Sequence, residues 1–166
     1  METTFALGSE TFADGDTLPI SVVYTACKGG NRSPDLSWKD APAGAKSFAL
    51  DVHDPDAPTG GVGWFHWVAF DIPVSTHALA KGAGTPDSPS APKGIVEGTT
   101  DFGSPGYSGP CPPAGDPPHH YVFTLYALDV PSLPLDQHAT GAALRFTIRG
   151  HVLGKAVLIG RYGRPR

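Results

Sequence analysis

The 166-residue chain has little charge and few cysteines, and both shortages exclude classes of protein. Only 17% of its residues are charged and the net charge is −4, which argues against the basic surface typical of nucleic-acid binding. Two cysteines are too few for a disulfide scaffold, and we expect Cys27 and Cys111 to be free thiols. No apolar run approaches the roughly 18–20 residues that a membrane span needs.

Targeting, catalytic and metal-binding motifs are also missing. The first residues carry an acid where a signal peptide would carry Lys or Arg, and no apolar segment follows, so we predict a cytoplasmic protein. The nucleotide-binding and hydrolase motifs GxxxxGK, GxGxxG and GxSxG do not occur, nor do paired CxxC motifs or HExxH. We therefore predict no cofactor. A zinc site built from Asp54, His66 and His119 is chemically feasible, but their spacing does not support it, and we predict no metal.

Glycine and proline are abundant, with 21 and 18 residues. This composition favours short strands joined by many turns over long helices, and the length suits one domain over residues 1–166. Two stretches are rich in these residues, 82–93 and 101–118. The first is predicted to be a surface loop. The second contains Phe102 and Tyr107 and is predicted to be ordered, because loops this long in a compact domain are usually functional or disordered.

Strand-like segments recur between the loops. They are Ile20–Tyr24, Ser47–His53, Phe65–Ile72, Tyr121–Leu128 and Val157–Tyr162. Two of them, Phe65–Ile72 and Tyr121–Leu128, are apolar on both faces and are predicted to be central strands. One helix is predicted at about Thr140–Val152 from apolar residues spaced four apart. The fold class is therefore mainly β, an antiparallel β-sandwich of two sheets with Greek-key-like connections and a peripheral helix near the C-terminus.

Three polar residues continue the apolar faces of predicted strands. Residues two apart share a face of a strand. Asp54 therefore continues the Phe48 face at the C-terminal end of its strand. His66 and His119 lie at the N-terminal ends of their strands, on the same faces as Val68 and Tyr121. If the first strand runs antiparallel to the other two, the three side chains meet at one end of the sandwich and form a small cavity. His53 has the opposite parity and is predicted to face solvent.

Two turn motifs adjoin these residues. Asp54–Pro58 holds two carboxylates on a stiff proline turn, which either cap local amides or bind a ligand. Gly106–Pro113 combines glycines, which let backbone amides approach an anion, with prolines that keep the loop rigid. A Gly/Pro-rich loop alone is weak evidence for a site.

Together these motifs resemble the phosphatidylethanolamine-binding protein family, in particular its bacterial and archaeal branch of Raf kinase inhibitor-like proteins. The resemblance rests on DPDAP at 54–58, GWFHW at 63–67, GPCPP at 109–113 and HHYVFTLYAL at 119–128, in that order. It spans nearly the whole chain. One departure is His120, which stands where the family usually has Arg and which by parity points away from His119.

The resemblance implies a β-sandwich with a cavity for phosphate-like anions, including the phosphoethanolamine head group. The family's pocket residues correspond to Asp54, Asp56, His66, Gly109, Pro110, His119 and Tyr121, with Pro112 at the rim. The phenol, the two imidazoles and the Gly109 amide would donate hydrogen bonds to the anion.

Other functions remain open at this stage. The chain is interpreted as a small-anion-binding protein and not an enzyme, with affinity rising toward about pH 6 as histidine gains a proton. The alternatives are an enzyme that uses Asp54 with His66 or His119 as an acid–base pair, and a regulatory module that docks a phosphorylated peptide or protein at the cavity mouth. A homodimer is predicted as an option, with Phe102 as a contact residue.

Overall fold

The computed structural model describes residues 4–166. Its strands and helix are, in chain order, β1 (Ala6–Gly8), β2 (Leu36–Lys39), β3 (Ser47–Asp54), β4 (Trp64–Pro73), β5 (Ala78–Leu79), β6 (Val96–Glu97), β7 (His119–Leu128), α1 (Gly141–Thr147) and β8 (Val152–Tyr162). Short 3-10 helices lie at Ile20–Val22 and Thr25–Cys27. Within the described residues, no helix is long and apolar enough to cross a membrane.

The strands form two antiparallel sheets, which confirms the predicted fold class. The larger sheet has the order β6-β4-β3-β7-β8, and the smaller has the order β1-β2-β5. β3 lies at the centre and pairs antiparallel with β4 on one side and with β7 on the other. The C-terminal end of β3 therefore lies beside the N-terminal ends of both neighbours, the arrangement on which the predicted site depends.

The larger sheet is covered on both faces, so its central strands bury side chains on both sides. One face packs against the smaller sheet in the main core, where Leu50, Trp67 and Phe123 are buried. On the other face, Ala49 of β3 is buried with Leu144 of α1 and with Leu133 of the loop before the helix. This explains why β3 buries residues of both parities.

An ion pair between the buried Asp51 and the partly exposed Arg145 holds α1 against the second face. Asp51 is completely buried and accepts hydrogen bonds from Nε and from one terminal amine of Arg145, each at 3.0 Å. The Tyr126 hydroxyl donates to the same carboxylate at 2.9 Å. Arg145 also lies over the Phe65 ring, 4.8 Å from its centre. Because these donors converge on the desolvated Asp51 carboxylate, removing Arg145 would leave a buried charge without its cation.

Two predicted elements differ from the structure. Ile20–Tyr24 is not a strand, because its first residues turn into a 3-10 helix and the Tyr24 amide donates to the Pro110 carbonyl instead of to a sheet neighbour. The helix is shorter than Thr140–Val152. It is capped by the Thr140 hydroxyl and ends near Gly150, whose φ of +82° redirects the chain into β8.

The prediction of free thiols is wrong, because Cys27 and Cys111 form a disulfide. Residues 84 apart in sequence are brought to a Cα separation of 5.6 Å. The hydrogen bond from Tyr24 to Pro110 aligns the two segments, a contact that the spacing of two cysteines does not reveal. The disulfide ties the second 3-10 helix to the loop around Pro110–Pro113.

The disulfide is expected to contribute substantially to stability, since it closes a long loop in the unfolded chain. Replacing both cysteines by serine should lower the free energy of unfolding by about 2–5 kcal/mol. Urea titrations with and without a dithiol reductant measure this. The reductant should destabilise the parent chain and leave the double serine variant unchanged. Equal unfolding midpoints for the parent and the variant would contradict the prediction.

Candidate functional site

The end of β3 and the beginning of β7 place a carboxylate and an imidazole in contact. Oδ2 of Asp54 lies 2.6 Å from Nδ1 of His119, and both side chains are buried. The other oxygen of Asp54 accepts the backbone N–H of Asp56 at 2.8 Å, which fixes the carboxylate in the proline turn. Asp54 therefore caps a local amide, as one of the two interpretations of this turn predicted, and also contacts His119.

His66 reaches the same place by a route that strand parity does not predict. A register shift separates the pairs Val52 with Trp67 and His53 with Phe65, so His66 is an extra residue at a β-bulge. The bulge turns His66 toward Tyr121, and the centres of the two rings are 5.2 Å apart. Val68, whose face His66 was predicted to share, instead packs in the second core under α1.

His119 lies between two carboxylates. Its Nε2 is 2.9 Å from Oδ2 of Asp116, on the opposite side of the ring from Asp54. Burial opposes a charge on the ring, but the hydrogen bonds with Asp54 and Asp116 outweigh it and raise the pKa of His119. A doubly protonated imidazolium is the form that can donate to both carboxylates at once.

His66 has the opposite electrostatic setting. Its Nδ1 lies 2.7 Å from the Ser108 carbonyl, which can only accept, so Nδ1 carries a proton. Burial lowers the pKa of His66, and the Ser108 bond and the Asp54 charge offset this only in part. The neutral ring therefore leaves Nε2 as a hydrogen-bond acceptor. This differs from the expectation that both histidines donate.

Tyr121 supplies a donor with no partner. Its side chain is 1% exposed, and its hydroxyl makes no hydrogen bond within residues 4–166. Burial, together with the charge of Asp54, raises the pKa of Tyr121, so the phenol keeps its proton. A buried hydroxyl without a partner costs about 1–3 kcal/mol, which makes this atom a candidate for binding a ligand.

These groups border a cavity of about 330 Å³, a size suited to a small molecule. Its lining consists of Asp54, Ala57, Pro58, Thr59, Trp64, His66, Phe102, Cys111, Pro112, Pro113, His119 and Tyr121. Most of the wall is apolar, with Trp64 and Phe102 packed edge to face at 5.5 Å. Polar groups are concentrated on the side formed by β3, β4 and β7.

Three of the residues named from the sequence do not line this cavity. The Gly109 amide donates to Asn31 Oδ1 at 2.7 Å, so it is not available to an anion. The Pro110 carbonyl accepts the Tyr24 amide. Asp56 is partly exposed and accepts both the backbone N–H and Nδ1 of His120 at 2.8 Å. His120 therefore pairs with Asp56 outside the cavity.

Several residues at the site have contacts that the sequence does not indicate. Asp116 was not selected, although it lies three positions before His119. Trp64 carried no signal because a large apolar residue at a strand start is usually a core residue. Phe102, named as a dimer contact, packs on Tyr24 and lines the cavity. His53, expected to face solvent, is half-buried against the Phe65 ring. In the part of the chain that is described, no cluster of residues could hold a metal ion.

Comparison with known proteins adds independent information. The family model described as phosphatidylethanolamine-binding protein matches residues 8–163. The Escherichia coli protein YbcL is 41% identical over 160 residues, which cover 95% of this chain and 87% of YbcL. A protein of Methanothermobacter thermautotrophicus is 46% identical and covers 93% of this chain and 97% of its own.

Two solved structures have the same fold as this chain. The crystal structure of YbcL, described as a member of the mammalian PEBP family, has a TM-score of 0.92 at 40% identity, covering 96% of this chain and 98% of that one. That of CT736 from Chlamydia trachomatis has a TM-score of 0.84 at 34% identity, covering 98% and 99%.

The two buried histidines are expected to titrate on opposite sides of the ordinary histidine pKa near 6.5. His119 should lose its proton above this value, and His66 should gain one only below it. Imidazole ¹⁵N chemical shifts followed by NMR give both midpoints, with His66→Gln and His119→Gln variants providing the assignment.

The changed pKa values of the two histidines also predict how the stability of the fold depends on pH. The raised pKa of His119 stabilises the fold at low pH, and this contribution is lost as pH rises through the folded-state value. The lowered pKa of His66 has the opposite effect, so its contribution is lost as pH falls below the unfolded-state value. A His119 midpoint at or below that of His66 would contradict the assignment.

Proposed function

The chain belongs to the phosphatidylethanolamine-binding protein family, and from this premise we propose that its cavity binds a small phosphate-bearing anion such as a phosphoethanolamine head group. The observation that carries the proposal is the unpartnered hydroxyl of Tyr121. An oxyanion beside it would accept the hydrogen bond that the fold leaves unmade. The water-mediated alternative would satisfy the hydroxyl without selecting a charge.

The polar groups define which form of the ligand fits. Tyr121 and the imidazolium of His119 are donors, whereas Nε2 of His66 is an acceptor. A fully ionised phosphate has no proton to donate to His66. A monoprotonated phosphate ester offers negatively charged oxygens to the two donors and one P–OH group to Nε2 of His66. The second pKa of such esters is near 6. Binding is therefore expected to strengthen as pH falls toward about 6, chiefly through protonation of the ligand.

Asp116 competes with the proposed ligand. Its carboxylate occupies the Nε2–H of His119, the position where a phosphate oxygen would accept. Asp116 is partly exposed, with 39% of its side chain accessible, and can turn toward solvent at modest cost. The ligand must displace this internal anion, so we expect weak binding to inorganic phosphate.

Catalysis by an Asp54–His119 acid–base pair is less well supported. A general acid or base must exchange a proton with the substrate, and both ring nitrogens of His119 contact carboxylates. The structure of the site thus favours a binding role.

The predicted cytoplasmic location has an argument against it. Disulfides persist mainly in oxidising compartments, and the Cys27–Cys111 bond closes the loop next to the cavity. Fractionation of the source cells, with thiol labelling before and after reduction, measures both the location and the bond.

Replacing Tyr121 by Phe removes only the unpartnered hydroxyl. We expect about tenfold or greater loss of affinity for phosphoethanolamine, because a hydrogen bond to a charged group contributes about 1.5–3 kcal/mol. Stability should be unchanged or higher, since the variant no longer buries an unsatisfied donor. ³¹P and ¹H–¹⁵N NMR titrations measure the affinity, and thermal unfolding measures the stability.

The matched control is Tyr107→Phe. The Tyr107 hydroxyl is also buried, but it donates to the Val22 carbonyl at 2.7 Å and does not line the cavity. This variant should lose about 0.5–1.5 kcal/mol of stability and keep its affinity. If Tyr121→Phe bound phosphoethanolamine as tightly as the parent, the proposed site would be wrong.

Replacing Asp116 by Asn tests the competition. The neutral amide removes one negative charge beside His119, so affinity for phosphate should rise several-fold, and the pKa of His119 should fall because one stabilising carboxylate is gone. Isothermal titration and imidazole NMR measure the two effects. Asp136→Asn, on a distant loop, is the charge-matched control. Weaker phosphate binding by Asp116→Asn would show that Asp116 helps to hold the ligand.

A further inference from the structure

A second cavity, of about 600 Å³, lies along the β6 edge of the larger sheet. It is formed by the loop at 85–95, which the sequence marked only as a surface loop, together with β6, Pro105 and Gln137. None of its lining residues belongs to the first cavity. Its volume falls in the range of small-molecule sites.

One residue that lines this cavity carries a buried carboxyl group. This residue, Glu97, is 7% exposed. Oε2 of Glu97 accepts the indole N–H of Trp67 at 2.8 Å. Oε1 is buried and has no hydrogen-bond partner within residues 4–166. Trp67 is fully buried in the main core, so its indole holds the carboxyl group in place.

The charge on Glu97 is uncompensated. Burial raises the pKa of Glu97 to about 7, and the bond from Trp67 offsets this only in part. The other charged groups lining the cavity are Asp87 and Lys93, both exposed. Among the described residues no ion pair involves Glu97, although Lys93 borders the same cavity.

We propose that this second cavity binds a small organic cation bearing N–H groups, a primary ammonium, with Glu97 Oε1 as its acceptor. An ammonium ion would supply both the missing counter-charge and the missing donor. An anion would be repelled by Glu97 and Asp87, and an apolar ligand would leave Oε1 unpaired. The apolar side chains of Pro86, Pro92 and Ile95 would contact the ligand's carbon chain.

The probe for the test is n-propylammonium chloride. Tetramethylammonium chloride is the control cation without an N–H donor, and sodium chloride is the control for ionic strength. The indole N–H of Trp67 contacts the Glu97 carboxyl directly, so its NMR resonance reports the site. It is assigned among three tryptophans by the Trp67→Phe variant. We expect a saturable shift with propylammonium only.

The variant that tests the role of the charge is Glu97→Gln. The amide oxygen keeps the bond from Trp67, while the negative charge and the free carboxylate oxygen are lost. Affinity for propylammonium should fall about tenfold or more. In the parent it should rise about tenfold between pH 6 and 8, as Glu97 ionises. Tyr121→Phe, altered in the first cavity, should bind propylammonium like the parent.

Two results would overturn the proposal. One is a shift of the Trp67 resonance that is equal for propylammonium and tetramethylammonium, or that never saturates. The other is unchanged affinity in Glu97→Gln. The comparison of the two cations needs no variant, so it stands even if Glu97→Gln fails to fold. Because the two cavities share no residue, loss of phosphate binding in Tyr121→Phe would leave this test unaffected.

Discussion

The hydrogen bond between Asp54 and His119 is the constraint on which the first cavity depends. It joins the end of β3 to the start of β7 and buries a carboxylate and an imidazole with almost no contact to solvent. Such a pair is stable only when further polar groups satisfy it. The Asp56 amide and the Asp116 carboxylate do this, one on each side. The cavity therefore borders an imidazolium that is held between two carboxylates, Asp54 and Asp116.

Three neighbouring polar groups differ in charge and in hydrogen-bonding role because their partners differ. His119 donates to carboxylates, His66 is held neutral by burial and by a carbonyl, and Tyr121 keeps a proton with no acceptor. The combination complements a ligand that both accepts and donates, as a monoprotonated phosphate ester does. A pocket with two imidazolium ions would instead favour a dianion. The tautomer of one ring thus decides which protonation state of the ligand fits.

Three buried side-chain atoms of residues 4–166 have no hydrogen-bond partner, Nε1 of Trp38, Oε1 of Glu97 and the Tyr121 hydroxyl, and the last two carry the two proposed ligand sites. The phenol donates, so its cavity suits an anion. The carboxyl oxygen accepts and gains negative charge near pH 7, so its cavity suits a cation. Since the cavities share no lining residue, occupation of one does not require the other. Both hydroxyl and carboxyl are anchored in the same main core, through the Tyr121 ring and the Trp67 indole.

The sequence by itself determined the fold class and the central strands, because side-chain alternation is a local property of a strand. It brought Asp54 and His119 together only on the condition that their strands run antiparallel, which the tertiary structure decided. It could not place His66, since the bulge that turns this ring depends on how β3 and β4 pair. The tertiary structure also decided three other contacts. These are the disulfide, the hydrogen bond from the Gly109 amide to Asn31, and the contact of Asp116 with His119. Each depends on contacts between segments far apart in sequence, whose approach no local pattern encodes.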